Sequence, residues 1–395
     1  MTIQKMGITA LLGTSALLLV YEAINIAVYH ELTPPLLEPM TPISAIGTLS
    51  AKACASCHVE IAAEWRSSGH ATSTGEALYL ADLAQQETTY FCKHCHAPLI
   101  EQHEYTSSGL SSVWPEIQAR ESPNPRYIQG LHHEGVTCVA CHQRDGAMVG
   151  SFESAIAPHP VRVDPAISTE STCRPCHAMD LRMLGELERP IMDTFAEWEA
   201  YKEAGGDKNC VDCHMPSLGE RPAARGGGLR PGHSHSLRGP YDIEFVREGA
   251  QPTNLSITGS HAAGLKAQLT LKNGTGHHLP SAEPHRKLIA KLEALDSAGL
   301  SLVDDEVVIQ RKVDLHQLRE VPGSDTSLRP REERTLDLRI KGALPARAAR
   351  ARLSLTWVLW DPSDPVAIAA GLGEEELVMT LEERSMELNT SGAEP

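Results

Sequence analysis

The sequence is poor in aromatic residues, with four phenylalanines and an aromatic share of 4% in 395 residues. A chain long enough for two domains at roughly 150 residues each normally fills its cores with such bulk, so something else must fill part of this one. No cysteine lies outside five short segments, which excludes a disulfide framework spread through the chain. Positive charge is scarce. The formal net charge of -16 argues against nucleic acid and anionic membrane surfaces as partners and favours a basic protein. No small-x-small cleavage site follows the apolar N-terminal run, and no segment repeats another closely enough to define a solenoid.

The ten cysteines that are present fall into one pattern repeated five times: Cys54-Ala-Ser-Cys57-His58, Cys92-Lys-His-Cys95-His96, Cys138-Val-Ala-Cys141-His142, Cys173-Arg-Pro-Cys176-His177 and Cys210-Val-Asp-Cys213-His214. Cys-x-x-Cys-His is the attachment sequence of c-type haem, in which two thiols bond the porphyrin covalently and the adjoining imidazole takes one face of the iron. A structural zinc site pairs two Cys-x-x-Cys hooks around one ion, and five hooks do not pair. A thioredoxin-like dithiol occurs once and does not require the following histidine. The motifs therefore predict five covalently attached c-type haems, whose porphyrins supply the missing apolar bulk.

Motif starts are 38, 46, 35 and 37 residues apart, which predicts one compact, mainly α haem domain over 50–240. Helices are expected at Ile61 to Trp65, Gly75 to Gln86 and Leu181 to Lys202, with turns at Ser107 to Ser112 and Glu121 to Arg126. The Gly-rich stretch from Arg221 to Gly232 predicts a flexible connection. Beyond it, alternation of apolar and polar residues predicts an all-β sandwich over 241–385, with strands at Tyr241 to Val246, Leu265 to Lys272, Lys287 to Leu295, Val307 to Val313, Arg334 to Ile340, Arg352 to Trp360 and Glu375 to Leu381. The fold class is thus α+β. A polar tail, 386–395, closes the chain.

Covalent haem is attached outside the bacterial cytoplasmic membrane, so the protein is expected in the periplasm. Residues 7–21 and 23–29 are apolar around Glu22 and predict an N-terminal transmembrane helix within 1–30 that stays as an anchor, with a removed signal segment as the alternative. The Pro-rich stretch 31–49 reads as a linker between membrane and haem domain.

The second axial ligand of each iron decides between electron transfer and catalysis. Taking the motif histidines from the total of 19 leaves 14 donors, enough for bis-histidine ligation throughout. The candidates are His70, in Trp65-x-x-x-x-His70-Ala71; His133, of the His132-His133 pair; His159; His233 and His235, at the end of the Gly-rich connection; and His278, in Gly276-His277-His278-Leu279-Pro280, where either histidine of the pair could reach a haem. His103 is a secondary option for the second haem, and His94 reads as a surface side chain. The methionines near the motifs read as packing residues.

Cys-x-x-Cys-His with Trp65-x-x-x-x-His70-Ala71, followed by Gly135-Val136-Thr-Cys138-x-x-Cys141-His142, resembles the tetrahaem cytochrome c of ammonia oxidisers and its wider multihaem superfamily. That superfamily includes hydroxylamine oxidoreductase and pentahaem nitrite reductase. The resemblance spans roughly residues 50 to 215 and implies a distal-ligand role for His70. Five motifs stand where the tetrahaem carrier has four, and all five end in histidine, where the nitrite reductase uses lysine at its active haem. The expected function is electron relay between membrane-linked donors, such as a quinol-oxidising complex, and periplasmic or extracellular acceptors. Two alternatives stay open: a reductase or oxidase of a small nitrogen or sulfur compound at one five-coordinate haem, and a subunit docked through its β domain in a larger membrane assembly.

Overall fold

The computed structural model describes residues 20–21, 23–24, 37, 40–85, 90–112, 118–180, 182, 186–314 and 319–388. The chain forms two compact units, each assembled from separate stretches. The first takes the described residues up to Cys176 together with Met215–Leu237, and the second takes His177–His214 and the described residues from Arg238 on. The fifth motif therefore belongs with the β unit, and the division does not follow a single break near residue 240.

In the first unit the helices are short: Ala51–Ala55, Val59–Arg66, Gly69–Thr72, Ala77–Gln85, Tyr90–His96 and Cys138–His142. Small antiparallel pairs lie between them, β1 (Tyr105–Ser112) with β2 (Gln118–Pro123), and β3 (Gln143–Arg144) with β4 (Ala147–Gly150), which β5 (Val161–Val163) joins in parallel. The turn residues at 107–112 and 121–123 are thus strand, because pairing across β1 and β2 overrides their weak β propensity. The Gly-rich stretch is not a free connection either. It folds as a hairpin of β6 (Ser217–Pro222) and β7 (Leu229–His233), whose loop is tied down by Arg225 N–H donating to the Cys57 carbonyl at 2.8 Å. Part of the Pro-rich 31–49 stretch is packed: Leu49 is 1% exposed in a small cluster with Leu99, Leu131, Val139 and Ala140, against which Leu37 and Met40 lie.

The second unit is built on two antiparallel sheets. One runs in the order β11 (Ser301–Gln310), β10 (Lys287–Leu295), β15 (Arg350–Val358), β16 (Val378–Glu387), and the other β14 (Glu333–Lys341), β9 (Gly264–Asn273), β8 (Ala250–Ser260). A minor pair, β12 (Val313–Asp314) and β13 (Arg319–Glu320), accompanies them. The alternation read in the sequence is the inside-outside alternation of a strand. Leu265, Ala267, Leu269 and Leu271 are at most 3% exposed, and Leu288, Ala290 and Leu292 of β10 are fully buried. Each such leucine contributes about 1.5–3 kcal/mol relative to an exposed one.

Three expected elements differ, one of them in part: the strand expected at Glu375 to Leu381 begins only at Val378, after a short helix, Glu374–Leu377. The strand at Tyr241 to Val246 is a helix, Ile243–Gly249, because Asp242 caps it by accepting the Phe245 N–H and Arg247 sits in its last turn. The helix expected over Leu181 to Lys202 covers only Thr194–Glu203. The stretch before it is held irregular by Arg311, whose guanidinium donates to the carbonyls of Arg189, Pro190 and Ile191. The anchor expected within 1–30 lies almost wholly outside the described residues, and among the described residues no helix is long and apolar enough to cross a membrane.

Candidate functional site

Four of the five motif histidines stand where a carbonyl distant in sequence or in a neighbouring loop can hold the ring. His58 Nδ1 donates to the Ala223 carbonyl at 2.6 Å, His96 to Ser73 at 2.6 Å, His142 to Val149 at 2.9 Å and His214 to Arg238 at 2.6 Å. A carbonyl only accepts, so the proton sits on Nδ1 and Nε2 of the neutral ring is left with its lone pair. That is the tautomer of a metal-ligating histidine, fixed by a backbone acceptor.

Three motif rings have a second histidine ring nearby, at interplanar angles of 38°, 26° and 23°. The centre-to-centre distances are 6.4 Å for His58 and His159, 6.1 Å for His142 and His235, and 6.4 Å for His214 and His277. An axial metal–imidazole bond is about 2 Å and the ring centre lies about 1 Å beyond the nitrogen, so two imidazoles on opposite faces of one iron have centres roughly 6 Å apart. Two of the opposing rings are tied in the same way, His235 Nδ1 to the His233 carbonyl at 3.0 Å and His277 Nδ1 to the His278 carbonyl at 2.7 Å. His159 is oriented more loosely, 3.4 Å from the Pro160 carbonyl. Burial lowers the pKa of His142 and His214, and burial with the neighbouring His142 lowers that of His235 to about 4, so these rings are neutral near pH 7. The donor set fits c-type haem: paired thiols, an imidazole following them, and a second imidazole at the axial distance.

The other expected ligands are placed as follows. His70 lies in the Gly69–Thr72 helix, and the Trp-x-x-x-x-His segment has a clear structural role. Trp65 Nε1 donates to the Val136 carbonyl and the His70 carbonyl accepts the Val136 N–H, both at 2.9 Å, so its two ends clamp the residue two positions before the third motif. Gly135, at φ 58°, lets that backbone pass so near His70 that a Cβ would strike its carbonyl. His133 is exposed, and its ring is tilted by 41° against that of His132, with centres 3.7 Å apart. His233 is tied by Nδ1 to the Met215 carbonyl at 2.7 Å and supplies the carbonyl that orients His235. His278 faces a polar cluster, with Nδ1 3.2 Å from Ser327 Oγ and its backbone N–H on Glu197; the ring opposite His214 is its neighbour, His277. His103 donates from Nε2 to Ala97 at 2.6 Å, and His94 is buried beside it at 7% exposure.

The attachment points of different motifs meet within the first unit. The neighbouring Cys138 thiol is the largest influence on Cys54 and lowers its pKa to about 7, and Cys95 Sγ lies 4.0 Å from the Cys176 carbonyl. Glu134 joins the first pair, accepting from Ser50 Oγ and from Ala51 N–H at the start of the Ala51–Ala55 helix that carries Cys54.

The described residues form a mixed helix-and-sheet fold, and the paired thiols and imidazoles form a donor set that suits c-type haem. The particular likeness is to the crystal structure of a penta-heme cytochrome c552 from Thermochromatium tepidum, with a TM-score of 0.60 over 86% of this chain and 99% of that one. The sequences are 21% identical, so the likeness is one of fold. No family profile matches the sequence, and no curated protein matches it.

Proposed function

We propose that the chain is a pentahaem c-type cytochrome that carries electrons outside the cytoplasmic membrane. The observation that carries this reading is the three opposed histidine pairs, His58/His159, His142/His235 and His214/His277, at the separation two axial imidazoles require. Bound haem supplies a reversible one-electron couple at its iron. The protein's part is to place and tune it. The cysteine pairs hold the ring covalently, the carbonyls of Ala223, Ser73, Val149 and Arg238 fix the proximal imidazoles, and those of His233 and His278 fix distal ones. Two imidazoles per iron leave no position for a substrate at those three sites, which favours carriage over catalysis there. The contacts of Cys54 with Cys138 and of Cys95 with Cys176 favour closely spaced cofactors and hence hopping between them.

The acidic surface suits a basic redox protein as partner. Residues 7–29 would serve as the membrane tether that links the carrier to a quinol-oxidising complex. A pyridine haemochrome assay on the purified protein is expected to give five haems per chain, with stepwise reversible reduction in a potentiometric titration. A count well below five would overturn the reading. Release of the mature protein without detergent would remove the tether.

A further inference from the structure

Arg221 is an unusual cation in the first unit. It sits on β6, 8% exposed, with Nη1 donating to Glu64 Oε1 at 2.6 Å. Its Nε and Nη2 are buried without a hydrogen-bond partner, and the nearest further carboxylate, the exposed Glu60, is 3.8 Å from Nη2. Glu64 is already committed, since its Oε2 accepts the backbone N–H of His235 at 2.9 Å. Two N–H groups of a buried guanidinium left this way call for an anionic acceptor, and a planar fork is shaped for a carboxylate. The position is also fixed from behind: a Cβ on Gly232 would lie 2.5 Å from Arg221 Cγ, so only glycine there lets the side chain take this path.

We infer that Arg221 is a carboxylate-binding residue whose Nε and Nη2 receive a propionate of the haem held between His142 and His235. The inference rests on the proposed haem ligation and deepens it. Glu64 connects the two roles, because one of its oxygens holds Arg221 and the other holds the backbone of His235. Arg221 is therefore a positioning and potential-setting residue. A fixed positive charge at the propionate favours the reduced iron, which carries one positive charge less.

The experiment is a potentiometric titration of the purified holoprotein, read by visible and low-temperature EPR spectroscopy, for wild type, Arg221→Gln, Arg221→Lys and Gly232→Ala. Haem count is measured on each, and the His142/His235 haem is marked by the signal lost in His235→Ala. The expected result is five haems per chain in Arg221→Gln, with the potential of that one haem shifted downward and the others unchanged. Arg221→Lys should restore most of the shift, and Gly232→Ala should produce a smaller one in the same direction. Unchanged potentials with five haems present, or a shift confined to a different haem, would overturn the assignment. If Arg221→Gln does not retain its haems, Gly232→Ala decides: a lowered potential at the marked haem upholds it, and unaltered potentials reject it. A wild-type count other than five would refute the ligation reading instead.

Discussion

The two units solve the problem of a core in opposite ways. In the second unit, long strands register leucines and alanines against one another, and Leu269, Leu271, Leu288 and Leu292 are fully buried by protein alone. The first unit has a small cluster around Leu49, Leu99 and Val139, short helices, and histidines held one by one by carbonyls. A fold with so little apolar packing between its elements would lean on the proposed haems for the rest, whereas the sheets are packed by protein alone.

This contrast can be broken most severely by withholding haem. In chain produced without haem attachment, amides of the first-unit helices should exchange rapidly while those of β9, β10 and β15 stay protected in hydrogen-exchange mass spectrometry. Equal protection of both units would end the comparison. Next in size, Leu292→Ala should cost about 2–5 kcal/mol in denaturant unfolding of the second unit, with the haem spectrum of the first-unit sites unchanged. Smaller again, Trp65→Phe removes one hydrogen bond to the Val136 carbonyl and should cost about 0.5–1.5 kcal/mol, seen as faster exchange around the third motif while β10 is unaffected.

The smallest expected effect is on the acid side of the second unit. Hydrogen bonds from Ser363 and Lys287 lower the Asp361 pKa from 3.8 to about 2. The folded form thus releases its proton more readily than the unfolded chain, so its stabilisation is full above pH 3.8 and disappears as pH falls through about 2. Glu293 and Glu320 are lowered as well, by the guanidiniums of Arg352 and Arg311 acting against burial. Thermal melts of the β signal should decline below about pH 6.5 as the buried His214 and His278 resist protonation, and further below about pH 4; Asp361→Asn should flatten part of the decline below about pH 4.

What could be read from the chain follows the same division. β10 runs over the expected Lys287 to Leu295, and β9 buries the four residues its alternation singled out, because period-two burial is written in adjacent residues. The five Cys-x-x-Cys-His motifs stand out for a similar reason, since each is written in five adjacent residues. The hairpin at 217–233 was hidden by its glycines and arginines, since what orders it is a hydrogen bond to Cys57 far away in sequence. His277 and His278 could not be separated, because the choice depends on which ring is tied to a carbonyl and which is drawn to Glu197 and Ser327. The helix at 243–249 did carry a local signal, Asp242 followed by Glu244, outweighed by the β-like run of Tyr241 to Val246.

Low-temperature EPR of the fully oxidised holoprotein tests the central claim most directly, compared between wild type, His277→Ala and His278→Ala. Low-spin ferric signals are expected from the three paired haems in wild type, with conversion of one to high spin in His277→Ala and no such conversion in His278→Ala. A wild-type high-spin haem that binds nitrite or hydroxylamine would contradict the carrier reading, and a high-spin signal from His278→Ala alone would contradict the ligand pair.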